Sequence, residues 1–165
     1  MSWQKEIDAL RRREALAKRM GGEEKVARHH NQGKLTVRER IDALVDPGSF
    51  HEMGTATGVG SYDEAGQLKD FQPANFVHGH AKIDGRRVVI AGDDFTVRGG
   101  ANDAGIFEKA LASERMARDL KLPIVRLVDG TGGGGSVKNI ETKGHTLLPG
   151  YDGRTVAVDA GQLIR

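Results

Sequence analysis

One stretch constrains the fold of this chain more than any other: an apolar run at residues 124–128 leads directly into a glycine-rich segment. Five of the seven residues after Asp129 are glycine. Glycine permits positive φ and lets another molecule approach the backbone closely, and successive amides in such a loop can bind a negative oxygen. We therefore expect a buried strand that ends in an anion or oxyanion site made of main-chain amides. A mobile loop is the alternative interpretation.

The elements that precede this stretch predict an α/β fold. Strand-like runs at residues 77–83 and 86–91 flank Asp84-Gly85, a pair that favours a type I′ hairpin. A glycine turn and a helix from Asn102 or Asp103 to about Leu122 come next, before the strand at 124–128. A helix between two strands implies a right-handed crossover and parallel pairing. Both glycine turns should then lie at the carboxyl ends of neighbouring strands, where open α/β sheets bind ligands.

Further patterns predict the remaining elements. Residues 3 to about 30 are predicted to be helical, with a break at Gly21-Gly22, and a capping box at residues 36–39 begins a short helix over 37–45. Residues 63–75 are predicted to be a polar loop, 137–143 the start of a helix and 155–158 a short strand. The helix near 102–122 is expected to pack through one apolar side, made of Ile106, Phe107, Ala110, Leu111, Ala117 and Leu120.

Composition and charge narrow the class of protein. The 165 residues suit one domain, and the absence of cysteine excludes disulfides and thiolate metal sites. Neither an apolar leader nor an apolar run of about 18 residues occurs, so we expect a cytoplasmic chain without a membrane span. The net charge of +2 is too small to indicate nucleic-acid binding. Residues 1–45 hold eleven Lys/Arg against seven Asp/Glu, which we interpret as a solvated helix face rather than a phosphate-binding surface.

The side chains offer few candidates for acid–base or metal chemistry. His78 and His80 share one strand face, but no carboxylate lies at a spacing that completes a metal site, so no metal is predicted. Asp93 and Asp94 end a strand beside the first glycine turn, where capping the turn is favoured over acting as a base. Lys138 is interpreted as an ordinary exposed lysine. Backbone donors with few titratable groups fit a reaction in which the protein stabilises an enolate or thioester oxyanion.

Three motifs carry a family resemblance. They are GKLTVRERI at 33–41 followed by LVDPGSF at 44–50, DFTVRGG at 94–100, and LPI at 122–124 leading to LVDGTGGGGSVK at 127–138. In this order they resemble the carboxyltransferase subunit of biotin-dependent acyl-CoA carboxylases. The third motif has the glycine-rich form of some propionyl- and methylcrotonyl-type members. The resemblance covers residues from about 3 to 150.

The resemblance implies an α/β, crotonase-like fold of ββα units and the transfer of a carboxyl group from carboxybiotin to the α-carbon of an acyl-CoA. The acyl-CoA thioester becomes an enolate whose oxygen is held by main-chain amides, by position those of Gly132 and Gly133, with Gly134 next. The residues implied to line the CoA side are Arg98, Gly99, Gly100 and Ala101. The ureido group of biotin is expected to take the proton, which agrees with the lack of a protein base.

The family chains are much longer, and their second half repeats the fold and recognises biotin. We therefore divide this chain into an N-terminal helical extension, 1–48, and the N-terminal half of a crotonase-like domain, 49–165. We expect a hetero-oligomer with a complementary carboxyltransferase chain and a biotin carboxylase or biotin carrier subunit. Two alternatives are a non-catalytic CoA-binding or assembly module of a carboxylase complex and a subunit of a biotin-dependent acyl-CoA decarboxylase.

Overall fold

The computed structural model describes residues 2–101, 107–129, 141–142, 144–149 and 155–159. These residues form four α-helices and eight strands. In chain order the elements are α1 Gln4–Ala17, α2 Glu23–Asn31, α3 Val37–Leu44, β1 His51–Met53, β2 Gly58–Tyr62, β3 Leu68–Pro73, β4 Phe76–Ile83, β5 Arg86–Asp93, a 3-10 turn Arg98–Gly100, α4 Phe107–Asp119, β6 Ile124–Leu127, β7 His145–Pro149 and β8 Thr155–Asp159. Of the helices in these ranges, none has the length and apolar character needed to cross a bilayer.

The sheet at the centre of the fold has the strand order β1-β4-β5-β6. β4 and β5 form an antiparallel hairpin whose turn residues, Asp84 and Gly85, have φ of 50° and 76°. Positive φ at both positions is what a type I′ turn requires, so the predicted hairpin is confirmed. β5 and β6 are parallel, with Gly92 opposite Leu127, which confirms the predicted pairing across α4.

The helices at the N-terminus also follow the prediction. α1 and α2 are separate helices, with the predicted break between Ala17 and Glu23. α3 begins at the predicted capping box, because the Thr36 hydroxyl accepts from the Glu39 N–H and the Glu39 carboxylate accepts from the Thr36 N–H at 2.7 Å. The apolar residues that α3 and the sheet bury together are Val37, Ile41, Val45, Val77, Ala81, Val88 and Ile90. Full burial of each large aliphatic side chain contributes about 1.5–3 kcal/mol, which holds α3 on β4 and β5.

The prediction of a polar loop at 63–75 is wrong for Leu68–Pro73. β3 lies inside it and pairs antiparallel with β2, and the loop that remains is the turn in which Asp63 N–H donates to the Gln67 carbonyl. Phe71 and Pro73 are buried and alternate with exposed Gln72. Two buried positions are too few to produce a readable strand period, so the sequence pattern missed this strand.

Two predictions of burial also fail. The run at 124–128 was expected to be a buried strand, yet β6 is an edge strand of the described sheet and Val128 is 69% exposed. The buried residues of α4 are Lys109, Ser113 and Ala117, each four positions after the one before, whereas Leu120, just after the helix, is 50% exposed. Only part of the apolar side predicted for α4 is therefore buried.

The C-terminal third contains the strand predicted from its sequence. The strand predicted at 155–158 is confirmed as β8, which pairs antiparallel with β7. The predicted caps of α4, Asn102 and Asp103, lie outside the described residues. So does most of the predicted helix start at 137–143.

A buried ionic cluster joins α3, β1 and α4. Arg38 donates to the Glu52 carboxylate through its two terminal guanidinium nitrogens, at 2.7 and 3.1 Å, and Lys109 Nζ lies 3.7 Å from the same carboxylate. The Glu52 and Lys109 side chains are 8% and 6% exposed. Burial lowers the pKa of Lys109, while the negative charge of Glu52 opposes that shift. The negative charge of Glu52 compensates the positive charge of the buried Lys109. This pairing explains why a lysine is tolerated on the inner face of α4.

His78 on β4 lies close enough to this cluster to feel its charges. Its side chain is 3% exposed, and Nδ1 makes no hydrogen bond to the described residues. Burial lowers the pKa of His78 to about 4; the positive charge of Lys109 acts in the same direction and Glu52 opposes it. His78 is therefore neutral at pH 7.

The turn after β5 is held against the break between α1 and α2. The buried Asp94 carboxylate accepts from the Thr96 N–H at 2.9 Å and from the Thr96 hydroxyl at 2.6 Å. The Thr96 hydroxyl oxygen in turn accepts from the Gly21 N–H at 2.9 Å. A Cβ on Gly21 would lie 2.0 Å from the Thr96 carbonyl oxygen, so only glycine permits this approach. These bonds confirm that Asp94 caps the turn; its pKa is raised by burial, against the effect of the Thr96 bonds.

We expect His78→Gln to flatten the pH dependence of stability. The pKa of His78 falls from an ordinary 6.5 to about 4 on folding, so the unfolded chain binds the proton more readily. Stability is therefore fully present above pH 6.5 and is lost as the pH falls towards 4, by roughly 3 kcal/mol in all. Urea unfolding between pH 7.5 and 4.5 measures this loss. His51→Gln, at an exposed position, should keep the wild-type slope; an unchanged slope in His78→Gln contradicts the assignment.

Thr96→Val tests the bond between the turn and the helices. Valine keeps the shape of threonine but lacks the hydroxyl that bonds to Asp94 and Gly21. We expect a loss of about 1.5–3 kcal/mol in the free energy of unfolding, as is usual for hydrogen bonds to charged groups. Thr96→Ser is the matched control, because it keeps the hydroxyl and loses about 1 kcal/mol for one buried methyl group. Equal stability of the two variants would show that the hydroxyl contributes nothing.

Candidate functional site

The turn Arg98–Gly100 contains three of the four residues implied to line the CoA side, and Ala101 follows it. Arg98, Gly99 and Gly100 all have positive φ, of 51°, 65° and 68°. The N–H groups of Gly100 and Ala101 donate to the carbonyls of Val97 and Arg98, at 3.1 and 3.3 Å, and both residues are buried. The turn therefore satisfies those two amides internally and presents the Arg98 side chain and Gly99 to the outside.

The end of β6 lies beside the end of β5. The Asp129 N–H donates to the Asp93 carboxylate at 3.2 Å. The Asp129 carboxylate in turn lies 3.7 Å from His29 Nε2 and 4.0 Å from an Arg40 nitrogen, which links the strand end to α2 and to α3. The glycine-rich segment thus starts from an anchored residue. The predicted oxyanion residues Gly132, Gly133 and Gly134 lie outside the described residues, so their role stays a prediction.

A cleft of about 270 Å³ opens between α2 and the turn after β5. Arg98 and Gly99 line it from the turn, and Lys25, Arg28 and Gln32 line it from α2. The basic side chains of α2 were interpreted from the sequence as a solvated helix face rather than a phosphate-binding surface, so their place in a cleft was not predicted. The spacing of Lys25, Arg28 and Gln32 could have predicted a shared surface, because residues three, four and seven apart lie on one side of a helix.

The two strand histidines do not act together. His78 is buried beside the ionic cluster, whereas the His80 ring lies against that of His51, with 4.9 Å between centroids. Within the described ranges, no three or more His, Asp or Glu side chains are grouped so as to hold a metal ion.

The described part of the site is suited to binding an anion rather than to moving a proton. Its cleft is lined by cations, and none of the described side chains that line it is acidic. The one imidazole among these lining residues, His29, is 5% exposed, and its Nε2 lies 3.2 Å from the Leu35 carbonyl oxygen. An imidazole held in that way supports α2 and is not open to a substrate.

Comparison with known proteins places this chain among carboxyl transferase domains. Residues 28–146 match the carboxyl transferase domain family. The carboxyltransferase subunit of propionyl-CoA carboxylase from Haloferax mediterranei is 32% identical over 132 residues, which are 80% of this chain and 26% of that one. Methylmalonyl-CoA decarboxylase subunit alpha from Veillonella parvula is 34% identical over 129 residues, 78% of this chain and 25% of that one. This chain spans about a quarter of the length of these relatives.

Solved structures show the same likeness. Transcarboxylase 12S, with methylmalonyl-CoA and methylmalonic acid bound, superposes with a TM-score of 0.67 and 26% identity, over 88% of this chain and 31% of that one. The single-chain, multi-domain long-chain acyl-CoA carboxylase superposes with a TM-score of 0.58 and 28% identity, over 82% of this chain and 15% of that one. The predicted α/β, crotonase-like fold, partial and preceded by helices, is confirmed. This chain belongs to the carboxyl transferase domain family.

Proposed function

We propose that this chain is the acyl-CoA-binding N-terminal portion of a biotin-dependent acyl-CoA carboxyltransferase. One observation carries the proposal: the parallel pairing of β5 and β6, with the bond from Asp129 to Asp93, brings the Arg98–Gly100 turn and the start of the glycine-rich segment to one edge of the sheet. Ligands of open α/β sheets bind at such an edge. The family membership supplies the reaction class.

In this proposal the chain acts on the acyl-CoA alone. Biotin, carried on another protein or domain, supplies the carboxyl group and accepts the α-proton. The amides of Gly132 and Gly133, or of Gly134, donate to the thioester oxygen, whose negative charge grows as the α-carbon is deprotonated. Donors that are already oriented stabilise this charge without reorganisation, which lowers the barrier to forming the enolate. The α-carbon of the enolate then takes up the carboxyl group. Arg98 and Gly99 lie on the CoA side, with Gly100 and Ala101 supporting them.

The proposed assembly is a cytoplasmic hetero-oligomer with a complementary carboxyltransferase chain and a biotin carboxylase or biotin carrier subunit. The N-terminal helical extension, 1–48, and the partial domain, 49–165, each leave apolar surface for such contacts. Ile7 and Leu10 on α1 are 42% and 51% exposed, and Val128 after β6 is 69% exposed. For comparison, the transcarboxylase 12S structure is described as a hexamer assembly.

A decarboxylase is the second candidate function. The relative from Veillonella parvula is a methylmalonyl-CoA decarboxylase subunit, which is as similar to this chain as the carboxylase relatives are. Both reactions pass through the same enolate, so the same amides serve either direction. The direction of net carboxyl transfer in the purified assembly distinguishes the two.

Gly133→Val tests the oxyanion assignment. A side chain at this position blocks the approach of the thioester or turns the amides away, so we expect carboxyl transfer to fall by about 100-fold or more. The measurement is acyl-CoA-dependent transfer from carboxybiotin by the native assembly that contains this chain. Ala65→Val, at an exposed position in the turn between β2 and β3, controls for the introduction of a valine.

The outcomes separate the competing assignments. Unchanged transfer in Gly133→Val removes the oxyanion role from this segment. An assembly that binds acyl-CoA but neither carboxylates nor decarboxylates it indicates the non-catalytic module. Native mass spectrometry of the same preparation identifies each partner chain, and an assembly without a second crotonase-like polypeptide or domain overturns the proposed complementary chain.

A further inference from the structure

Asn75 holds both ends of the segment that contains the Arg98–Gly100 turn. It lies just before β4, and its backbone carbonyl accepts from the Asp94 N–H at 2.9 Å, which extends the pairing of β4 with β5 by one step. Its side-chain nitrogen donates to the Ala101 carbonyl at 2.8 Å. Asp94 precedes the turn and Ala101 follows it, so a single residue fixes both the entry to the turn and the exit from it.

The turn needs this support because its backbone conformation is unfavourable. Arg98 has a φ of 51°, and two glycines with positive φ follow it. Glycine adopts this region readily, but for arginine it brings Cβ too close to the following carbonyl oxygen. The two backbone bonds inside the turn measure 3.1 and 3.3 Å, longer than the usual distance of about 2.9–3.0 Å. A strained conformation of this kind persists only where the surrounding contacts fix it, and such positions concentrate at functional sites.

The side chain at position 75 has to be a hydrogen-bond donor. Asn75 and Ala101 are 6% and 4% exposed, so the bond between them lies inside the protein. A carbonyl oxygen can only accept, and the amide nitrogen of asparagine supplies the donor that a leucine or an alanine lacks. A buried carbonyl without a donor is costly, so loss of the amide favours rearrangements that expose the Ala101 carbonyl to water. Such a rearrangement changes the conformation of the turn.

We propose that Asn75 is a positioning residue, which sets the direction of the Arg98 side chain by holding the turn in one conformation. This inference rests on the proposed function, in which Arg98 lies on the CoA side. Asn75 is buried and is not among the described residues that line the cleft beside α2, so it acts through the turn and not on the ligand. A turn that is already ordered reduces the loss of conformational freedom on binding.

Asn75→Leu tests this role in the native assembly that contains this chain. Leucine keeps the branched shape of the side chain and lacks the amide. Contacts to a part of the substrate that does not react are the same in the ground state and in the transition state, so a misplaced Arg98 raises KM and leaves kcat unchanged. We expect KM for acyl-CoA to rise by about fivefold, the equivalent of one neutral hydrogen bond. Arg98→Gly, which removes a charged group altogether, should raise KM by about tenfold or more.

A double-mutant cycle separates positioning from a general structural role. If Asn75 acts through Arg98, the variant that combines Asn75→Leu with Arg98→Gly has the KM of Arg98→Gly alone. Ser113→Ala is the matched control, because it removes another bond from a buried side chain to a carbonyl, the 2.6 Å bond on α4, and should leave KM unchanged. Asn75→Ala is the second variant; it lacks the amide without adding apolar atoms and should show the same change in KM.

Hydrogen exchange tests the effect of Asn75 on the turn without any substrate. The N–H groups of Gly100 and Ala101 donate within the turn, so their exchange rates report how often the turn opens. In Asn75→Leu we expect these groups to exchange about fivefold faster, because the same hydrogen bond is lost. Exchange within α4, Phe107–Asp119, should stay as in the wild type.

Three results overturn the inference. It fails if Asn75→Leu and Asn75→Ala keep the wild-type KM, or if Asn75→Leu raises KM by the same factor in the presence and in the absence of the Arg98 side chain. It also fails if neither variant folds, because the role of Asn75 is then structural alone. If exchange at residues 100–101 accelerates in Asn75→Leu but the wild-type assembly neither binds nor converts acyl-CoA, Asn75 still holds the turn and the proposed function fails instead.

Discussion

The buried carboxylate of Asp94 is the interaction on which the site depends. It lies at the end of β5 and bonds to Thr96, which in turn bonds to the Gly21 N–H at the break between α1 and α2. One acceptor therefore connects the central sheet to a helical region more than 70 residues earlier in the chain. This link holds the start of α2 against the turn, and so positions the two walls of the basic cleft.

The ionic cluster of Arg38, Glu52 and Lys109 performs a different task. β1 is a short edge strand with little apolar surface, and a strand of three residues forms few ladder bonds. The carboxylate on β1 binds Arg38 of α3 and lies near Lys109 of α4, so two helices hold the strand in place. Replacing Glu52 would leave Arg38 and the buried Lys109 without their shared counter-charge, which is strongly destabilising. Burial also keeps His78 neutral, so β4 carries no additional positive charge here.

The perturbed titratable groups and the exposed cations lie in different parts of the structure. Titratable groups that burial perturbs, such as His78 and Lys109, belong to the scaffold. The groups exposed at the cleft are two arginines and a lysine, and none of the described side chains that line it is acidic. In the proposed function, a site of this kind contributes affinity and orientation, and proton transfer falls to biotin carried on another protein or domain. The proposed carboxyl transfer requires this combination.

The sequence by itself determined the caps, the turns and the order of elements. The capping box at Thr36 and the Asp84-Gly85 hairpin depend on local φ preferences and on bonds between residues a few positions apart, which motifs record directly. Parallel pairing followed from connection rules. Only the tertiary structure decided which face of α4 is buried and which helix meets the turn after β5. Those outcomes depend on partners distant in the chain, such as Gly21 with Thr96, and no periodicity in a single segment contains them.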